Sequence, residues 1–282
     1  MGMNVAAILL GLAAASLFAV GSALEQHAAK RNRQTRTFDP RLLLRLLRQP
    51  LWYAGWAPDL GGTVLQAVAL RFGPLALVEP LLLAGVFIAI PLEAALNHRR
   101  PHARDMLVVA LGAVGLTAFL VAAAPRAGVE QPSTEAWLAV AAGTGALLAI
   151  ALVLAWRAAG ATRGILLGIA TGLLFAFSAS LLKTITVQLG HGFGVLFTNW
   201  QIYVLAGVGL AGMILNQNAF QSGPIAAPLT TIALTDPVFS IGIGVTAYQE
   251  KLSTDPLRLA IQIAAGALMA YVLWLAHTTR AR

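Results

Sequence analysis

The chain has 282 residues, of which 58% are hydrophobic and only 11% charged, with no cysteine and a formal net charge of +8. Soluble domains carry about 25% charged residues, so this composition excludes an ordinary globular domain and points to an all-α, polytopic helical membrane protein. The absence of cysteine excludes disulfides, thiolate zinc sites, thiol catalysis and iron–sulfur clusters, and the basic residues lie in short loops between apolar blocks, which is a bilayer-orientation pattern and not a nucleic-acid surface.

A membrane-spanning helix needs about 20 apolar residues. In chain order, nine spans are predicted: 4–28, 51–72, 74–96, 105–124, 136–156, 164–189, 197–221, 224–248 and 256–277. The first reads as a retained span rather than a signal peptide, because no basic stretch precedes it and its pattern recurs later. A basic segment, 30–49, separates it from the second. There Arg41, Arg45 and Arg48 share one helical face and leucines fill the other, which predicts an amphipathic helix lying on the membrane surface. With the N-terminus outside, fourteen Lys and Arg fall on the cytoplasmic side. Four (Arg71, Arg126, Lys251 and Arg258) fall outside, and Lys183 lies within a span. The bias predicts N-terminus out and C-terminus in, a multi-pass protein of a cytoplasmic membrane. The preference for arginine over lysine, with abundant alanine, points to a bacterial source.

The chain also repeats itself. Residues 8–26 match 165–183 with nine identities in nineteen at an offset of 157. From about residue 50 the offset becomes 150: Gly62 meets Gly212, Gln66 meets Asn216, Ala69 meets Ala219, Gly73-Pro74 meets Gly223-Pro224, and Asp105 meets Asp255. Two units of four spans are predicted, 1–124 and 161–282, joined by a loop and fifth span at 125–160. The copies run in opposite directions across the bilayer. Inverted repeats with a site at their interface belong to alternating-access carriers. Gly164, Gly168 and Gly172, with Ala7, Gly11 and Ala15 at the equivalent places, predict close helix contacts within the chain or between two copies of it.

Ionisable residues inside a span are costly and mark function. Asp59 and Asp236 lie nearest the midplane and Glu79 nearer the outer end, whereas Glu25 and Glu93 sit where they can reach cytoplasmic water. Each of the first three adjoins a proline (Pro58, Pro80 and Pro237). A helical proline frees the carbonyl four residues back, here Ala54, Ala76 and Ala233, and oxygen ligands of this kind suit a metal cation, a proton or a substrate ammonium. Asp59, Glu79 and Asp236 are therefore the predicted cation site. Lys183 is the expected counter-ion or proton carrier, with snorkelling towards the outer face as the alternative. Gln66, Asn216, Asn218 and Thr235 are the expected polar lining, with interhelical hydrogen bonding as the alternative role.

The repeated helix 11–30, the Trp52-Tyr-Ala-Gly-Trp56 stretch, and Asn218-Ala-Phe-Gln-Ser-Gly-Pro224 running to Tyr248-Gln-Glu-Lys-Leu252 resemble the drug/metabolite transporter superfamily. The pattern is EamA-like, and the nine-span layout is similar to the NIPA-like magnesium transporter branch. The chain departs from that branch at Leu24-Glu-Gln-His-Ala28, where the branch has a lysine run, and at Asn97-His-Arg. The resemblance implies a transporter fold and a small metabolite, drug or cation as substrate. No phosphate-cradling loop or catalytic triad is present, so neither an enzyme nor a bound cofactor is expected. Three readings follow: a secondary transporter, a channel-like divalent-cation facilitator, and a non-transporting membrane scaffold. The expected partners are the substrate, the lipid bilayer and a second copy of the chain.

Overall fold

The computed structural model describes residues 5–31, 50–96, 100–222 and 226–280. These residues form eleven α-helices. In chain order they are α1 (Val5–Arg31), α2 (Pro50–Phe72), α3 (Leu75–Leu82), α4 (Ala84–Leu96), α5 (Ala103–Ala123), α6 (Thr134–Arg157), α7 (Gly160–Leu189), α8 (Phe193–Thr198), α9 (Trp200–Gln221), α10 (Ala226–Thr246) and α11 (Pro256–Arg280). Among the described residues there is no β-strand, only one antiparallel bridge between Arg126 and Lys251.

Eight spans are long and apolar enough to cross a membrane, α3 and α4 together making one of them, Leu75–Leu96. The protein is a multi-pass helical membrane protein. The predicted span 51–72 is present as the 23-residue α2, about 34 Å long at 1.5 Å per residue. It is not among those eight, since Pro58, Asp59, Gly61, Gly62, Gln66 and Arg71 dilute its apolar character. Two further spans differ from expectation. The third breaks at Leu83, where Leu83 N donates to Pro80 O (3.1 Å) and Val86 N to Leu83 O (3.1 Å); this tight turn follows Pro80, which has no N–H for the helical ladder. The seventh is preceded by the short α8, with Asn199 in extended backbone between α8 and α9. Beyond Arg31, the predicted surface segment 30–49 lies outside the described residues.

Local signals account for several helix starts. Ser133 Oγ accepts from Ala136 N (3.2 Å) to begin α6, and Asp105 reaches back to the backbone N–H of His102 (3.1 Å) to begin α5. Helix α1 packs on α2, α3 and α4, while α7 packs on α9 and α10. Helix α4 then meets α5, and α10 meets α11. Helices α3 with α10, α5 with α11 and α2 with α7 join the two ends of the chain. The main apolar core runs through this junction, from Leu70, Leu77 and Phe87 to Ala176, Ile243, Tyr248 and Val272.

Within the two halves, close contacts recur at the sequence offsets. A Cβ on Gly62 would lie 2.9 Å from the Phe18 ring, and one on Gly212 would lie 2.9 Å from the Phe175 ring. Gly11 faces Leu81, and Gly168 faces Thr231. Gly85 approaches the Ala15 carbonyl so closely that a Cβ would stand 2.7 Å from its oxygen; Gly172 stands in the same relation to the Thr235 Cβ, also at 2.7 Å. Each of these pairs maps onto its counterpart by adding 157 to the α1 residue and 150 to the other.

Candidate functional site

Glu79, one helical turn inside the start of α3 and 2% exposed, is a fully buried acidic group of the junction. Burial of a carboxyl group demands polar partners. Gln66 on α2 supplies one, its Nε2 donating to Glu79 Oε1 at 2.9 Å. Asp236 on α10 and Glu250 in the loop after α10 are the two carboxyl groups near enough to act on Glu79 electrostatically. Asp236 is half-buried, and its Oδ1 accepts from Ser240 Oγ at 3.3 Å, one turn along the same helix.

Above Glu79 stands a second, fully partnered carboxylate. Glu250 Oε1 accepts from Leu75 N at 2.7 Å and Oε2 accepts from Ala76 N at 2.9 Å. These N–H groups belong to the first turn of α3, which has no partners of its own and carries the positive end of the helix dipole. Pro74 at the N-cap offers no side-chain acceptor, so Glu250 performs that role from another part of the chain. Lys183 Nζ completes the group at 2.6 Å from Glu250 Oε1, with side chains 8% and 0% exposed. The Lys183 ammonium also lies 4.7 Å from the centre of the Tyr248 ring, a cation–π distance. The Tyr248 hydroxyl donates to Ser180 O at 2.5 Å, which leaves Thr184 Oγ1 as the donor to Tyr248 at 2.7 Å. Burial pushes the Tyr248 phenol well above its ordinary range.

Space for Glu250 is provided by glycine. A Cβ at Gly244 would stand 2.4 Å from Glu250 Oε2. The loop is held from the other side by residues 123–129: Arg126 and Lys251 exchange backbone bonds at 2.9 and 3.1 Å, Val129 N donates to Tyr248 O at 2.7 Å, and Ser253 N donates to Ala123 O at 2.8 Å. Gly128 permits this approach, since a Cβ there would lie 2.1 Å from Tyr248 O.

The predicted site residues thus separate into groups. Gln66, Glu79 and Asp236 come together, and Lys183 joins them through Glu250. Asp59 does not belong to this cluster: its carboxylate is turned onto α1, where a Cβ on Gly21 would meet Oδ1 at 2.0 Å. Among the described residues, no three acidic or histidine side chains are gathered closely enough to hold a metal ion. The expected three-carboxylate cation site is therefore not assembled among the described residues. Asn218 donates to Ile214 O at 2.7 Å within its own helix, and Thr235 packs its Cβ against Gly172. Asn216, the repeat counterpart of Gln66, has its Oδ1 buried with no protein partner.

Glu250 was missed as a site residue because it falls beyond the predicted span 224–248, and Tyr248 because it falls at that span's very end, whereas the helix closes at Thr246. Two signals were available: Lys183, a buried base, requires an anion beside it, and Tyr248-Gln-Glu-Lys-Leu252 was already conspicuous as a motif.

Comparison with known proteins adds a relative of undetermined role. No family model matches the chain, and no solved structure matches it. An uncharacterised protein of Corynebacterium glutamicum is 27% identical over 252 residues, covering 89% of this chain and 87% of its own length. The likeness therefore extends over nearly all of both chains.

Proposed function

We propose that the protein is a secondary transporter of the drug/metabolite transporter type, EamA-like, in which two inverted four-span halves rock about a site at their junction. The observation that carries this reading is the pair of carboxyls, Glu79 from the first half and Asp236 from the second, brought together where α3 meets α10. Contacts that recur at the repeat offsets support it, because equivalent halves packed by equivalent contacts are what alternating access requires. Carboxyl groups at membrane depth face a cavity or a partner far more readily than lipid. A cationic substrate, an amine-bearing metabolite or drug, would bind between Glu79 and Asp236, with Gln66 orienting the Glu79 carboxylate. Lys183, paired with Glu250, keeps a third anion from adding to that field unbalanced.

Two measurements test the proposal. Thermal unfolding of purified protein is followed against divalent cations, amino acids, polyamines and cationic drugs. A ligand bound only by the native state stabilises by about 2.7 kcal/mol at a hundredfold excess over Kd. Flux of each hit is then measured in proteoliposomes. The expected result is an organic cation whose stabilisation and saturable flux are both lost in Glu79→Gln and Asp236→Asn. Wild-type flux in both variants would overturn the assignment of the site. A response confined to Mg²⁺ would instead favour the divalent-cation facilitator, and no flux of any ligand would favour the scaffold.

A further inference from the structure

We propose that Glu250, Lys183 and the first turn of α3 form the outer gate of this carrier, closed in the present structure and opened by withdrawal of the Glu250 carboxylate from Leu75 and Ala76. The proposal rests on the transporter reading above and assigns to that site the element that closes it.

The first argument is position. Leu75 and Ala76 follow the Gly73-Pro74 turn at the end of α2, beside Arg71, and Glu250 precedes Lys251. The charge distribution puts both Arg71 and Lys251 on the outer side of the membrane. Lys183 lies in the last two turns of α7, at the same end. Glu79 lies one turn further in along α3, so whatever closes the Leu75 end covers the carboxyl pair from outside.

The second argument is connectivity. Glu250 and Lys183 both belong to the second half, and their ion pair moves with it. Among the hydrogen bonds that cross between halves, those from Leu75 and Ala76 reach the carboxylate itself. Nearby, Ser253 N donates to Ala123 O and Gln262 Nε2 donates to Ala122 O at 3.4 Å, and these too join the second half to the end of the first. The loop bearing Glu250 is tied to residues 123–129, which makes it one body with the segment following α5.

The third argument is chemical. A closure made of apolar side chains exposes them to water on opening, whereas each group in this one hydrates readily. Released N–H groups at a helix start bind water, and a carboxylate that keeps its lysine remains neutralised. Closed, the same groups are charge-assisted and desolvated, where they are strongest. The link is therefore strong when shut and carries little penalty when open. Gly244 and Gly128 leave the space in which the carboxylate and its loop fit.

Because the chain contains no cysteine, a single introduced thiol reports on the gate. Ser180→Cys is suitable: Ser180 is fully buried on α7, beneath Tyr248. In proteoliposomes, its labelling by a membrane-impermeant maleimide from the outer side is measured without substrate, alone and combined with Glu250→Gln or Lys183→Met. Glu250→Gln removes the charge that holds α3, and Lys183→Met leaves a buried carboxylate uncompensated. Loss of one such charge-assisted contact shifts the closed-to-open balance by about tenfold or more, so labelling should quicken by at least about tenfold in both. A Glu130→Cys protein, labelled on an exposed loop, should react equally in all backgrounds. If Glu250→Gln does not yield folded protein, Lys183→Met, which retains the α3 cap, is decisive alone. Labelling within about twofold of the parent in folded variants overturns the gate. Unchanged labelling in a chain that still carries ligand removes the gate alone, and a lack of flux for every ligand removes the transport reading.

Discussion

Substituting Gly172 by alanine tests whether the two halves pack their own helices in the same way. In the second half α7 and α10 are so close that a Cβ on Gly172 would lie 2.7 Å from the Thr235 Cβ and 3.1 Å from Asp236 N. Carbon atoms pack best at about 3.5–4.0 Å, so the helices must part locally by roughly 0.8 Å. Overpacking of this kind costs about 1–3 kcal/mol, and the better helix propensity of alanine returns about 1 kcal/mol, leaving Gly172→Ala destabilised by about 1 kcal/mol net. The first half reaches the same close approach with the small residue on the other helix, Ala15 on α1 against Gly85 on α4. Thr235→Gly in the Gly172→Ala background reproduces that arrangement and should recover stability relative to the sum of the single changes, with a coupling of at least about 1 kcal/mol. Thr235→Ala should not recover it, because it retains the clashing Cβ. Unfolding in mixed detergent micelles, monitored by tryptophan fluorescence, measures the parent, the single changes and the combinations. Gly143→Ala, in open space on α6, is the reference for propensity alone. If Gly172→Ala is stabilised as much as Gly143→Ala, the close approach and the argument from equivalent contacts are refuted.

Further outcomes are expected elsewhere in the molecule. Glu250→Ala should cost about 3–5 kcal/mol by equilibrium unfolding, the penalty for removing one partner of a buried pair, and the loss in Glu250→Ala/Lys183→Met should fall short of the summed single losses. Tyr248→Phe should cost about 1 kcal/mol for its hydroxyl bonds. The folded phenol stays neutral above the pH near 10 at which a free tyrosine ionises. Stability from Tyr248 is thus complete below pH 10 and lost as pH rises beyond it, and the alkaline decline in Tm should be shallower in Tyr248→Phe. For topology, thiols introduced at Glu130 and Lys251 should label from outside and one at Arg157 should not; reversed accessibility would overturn the orientation.

Much of this architecture was legible from residue order. Apolar blocks of span length specify helices because hydrocarbon leaves a backbone no other way to satisfy its N–H and C=O groups. That argument needs no tertiary information, and it predicts α1, α5, α6, α7 and α11 closely. The break at Leu83 was not legible. Pro80 signalled a disturbance, but whether a helix kinks or ends at a proline depends on its neighbours; α10 continues through Pro237.

The site divides along the same line. Burial of Glu79 and Lys183 follows from their position within apolar runs, which is local information, and so each could be named in advance. Their partners could not. Asp59, equally deep by residue count, turns to Gly21, whereas Asp236 lies within electrostatic reach of Glu79, and a rotation of about 100° per residue around a helix axis separates such fates. Glu250 lies 67 residues from Lys183 and 175 from Leu75, so only the docking of α3 against α10 brings its carboxylate to the first turn of one helix and the lysine of another. Sequence by itself determined which groups must find a polar partner within the membrane, because hydration is lost there wherever the helix faces. Tertiary packing decided which partner each one found, because that choice depends on helix rotation and on the two close approaches that glycine permits.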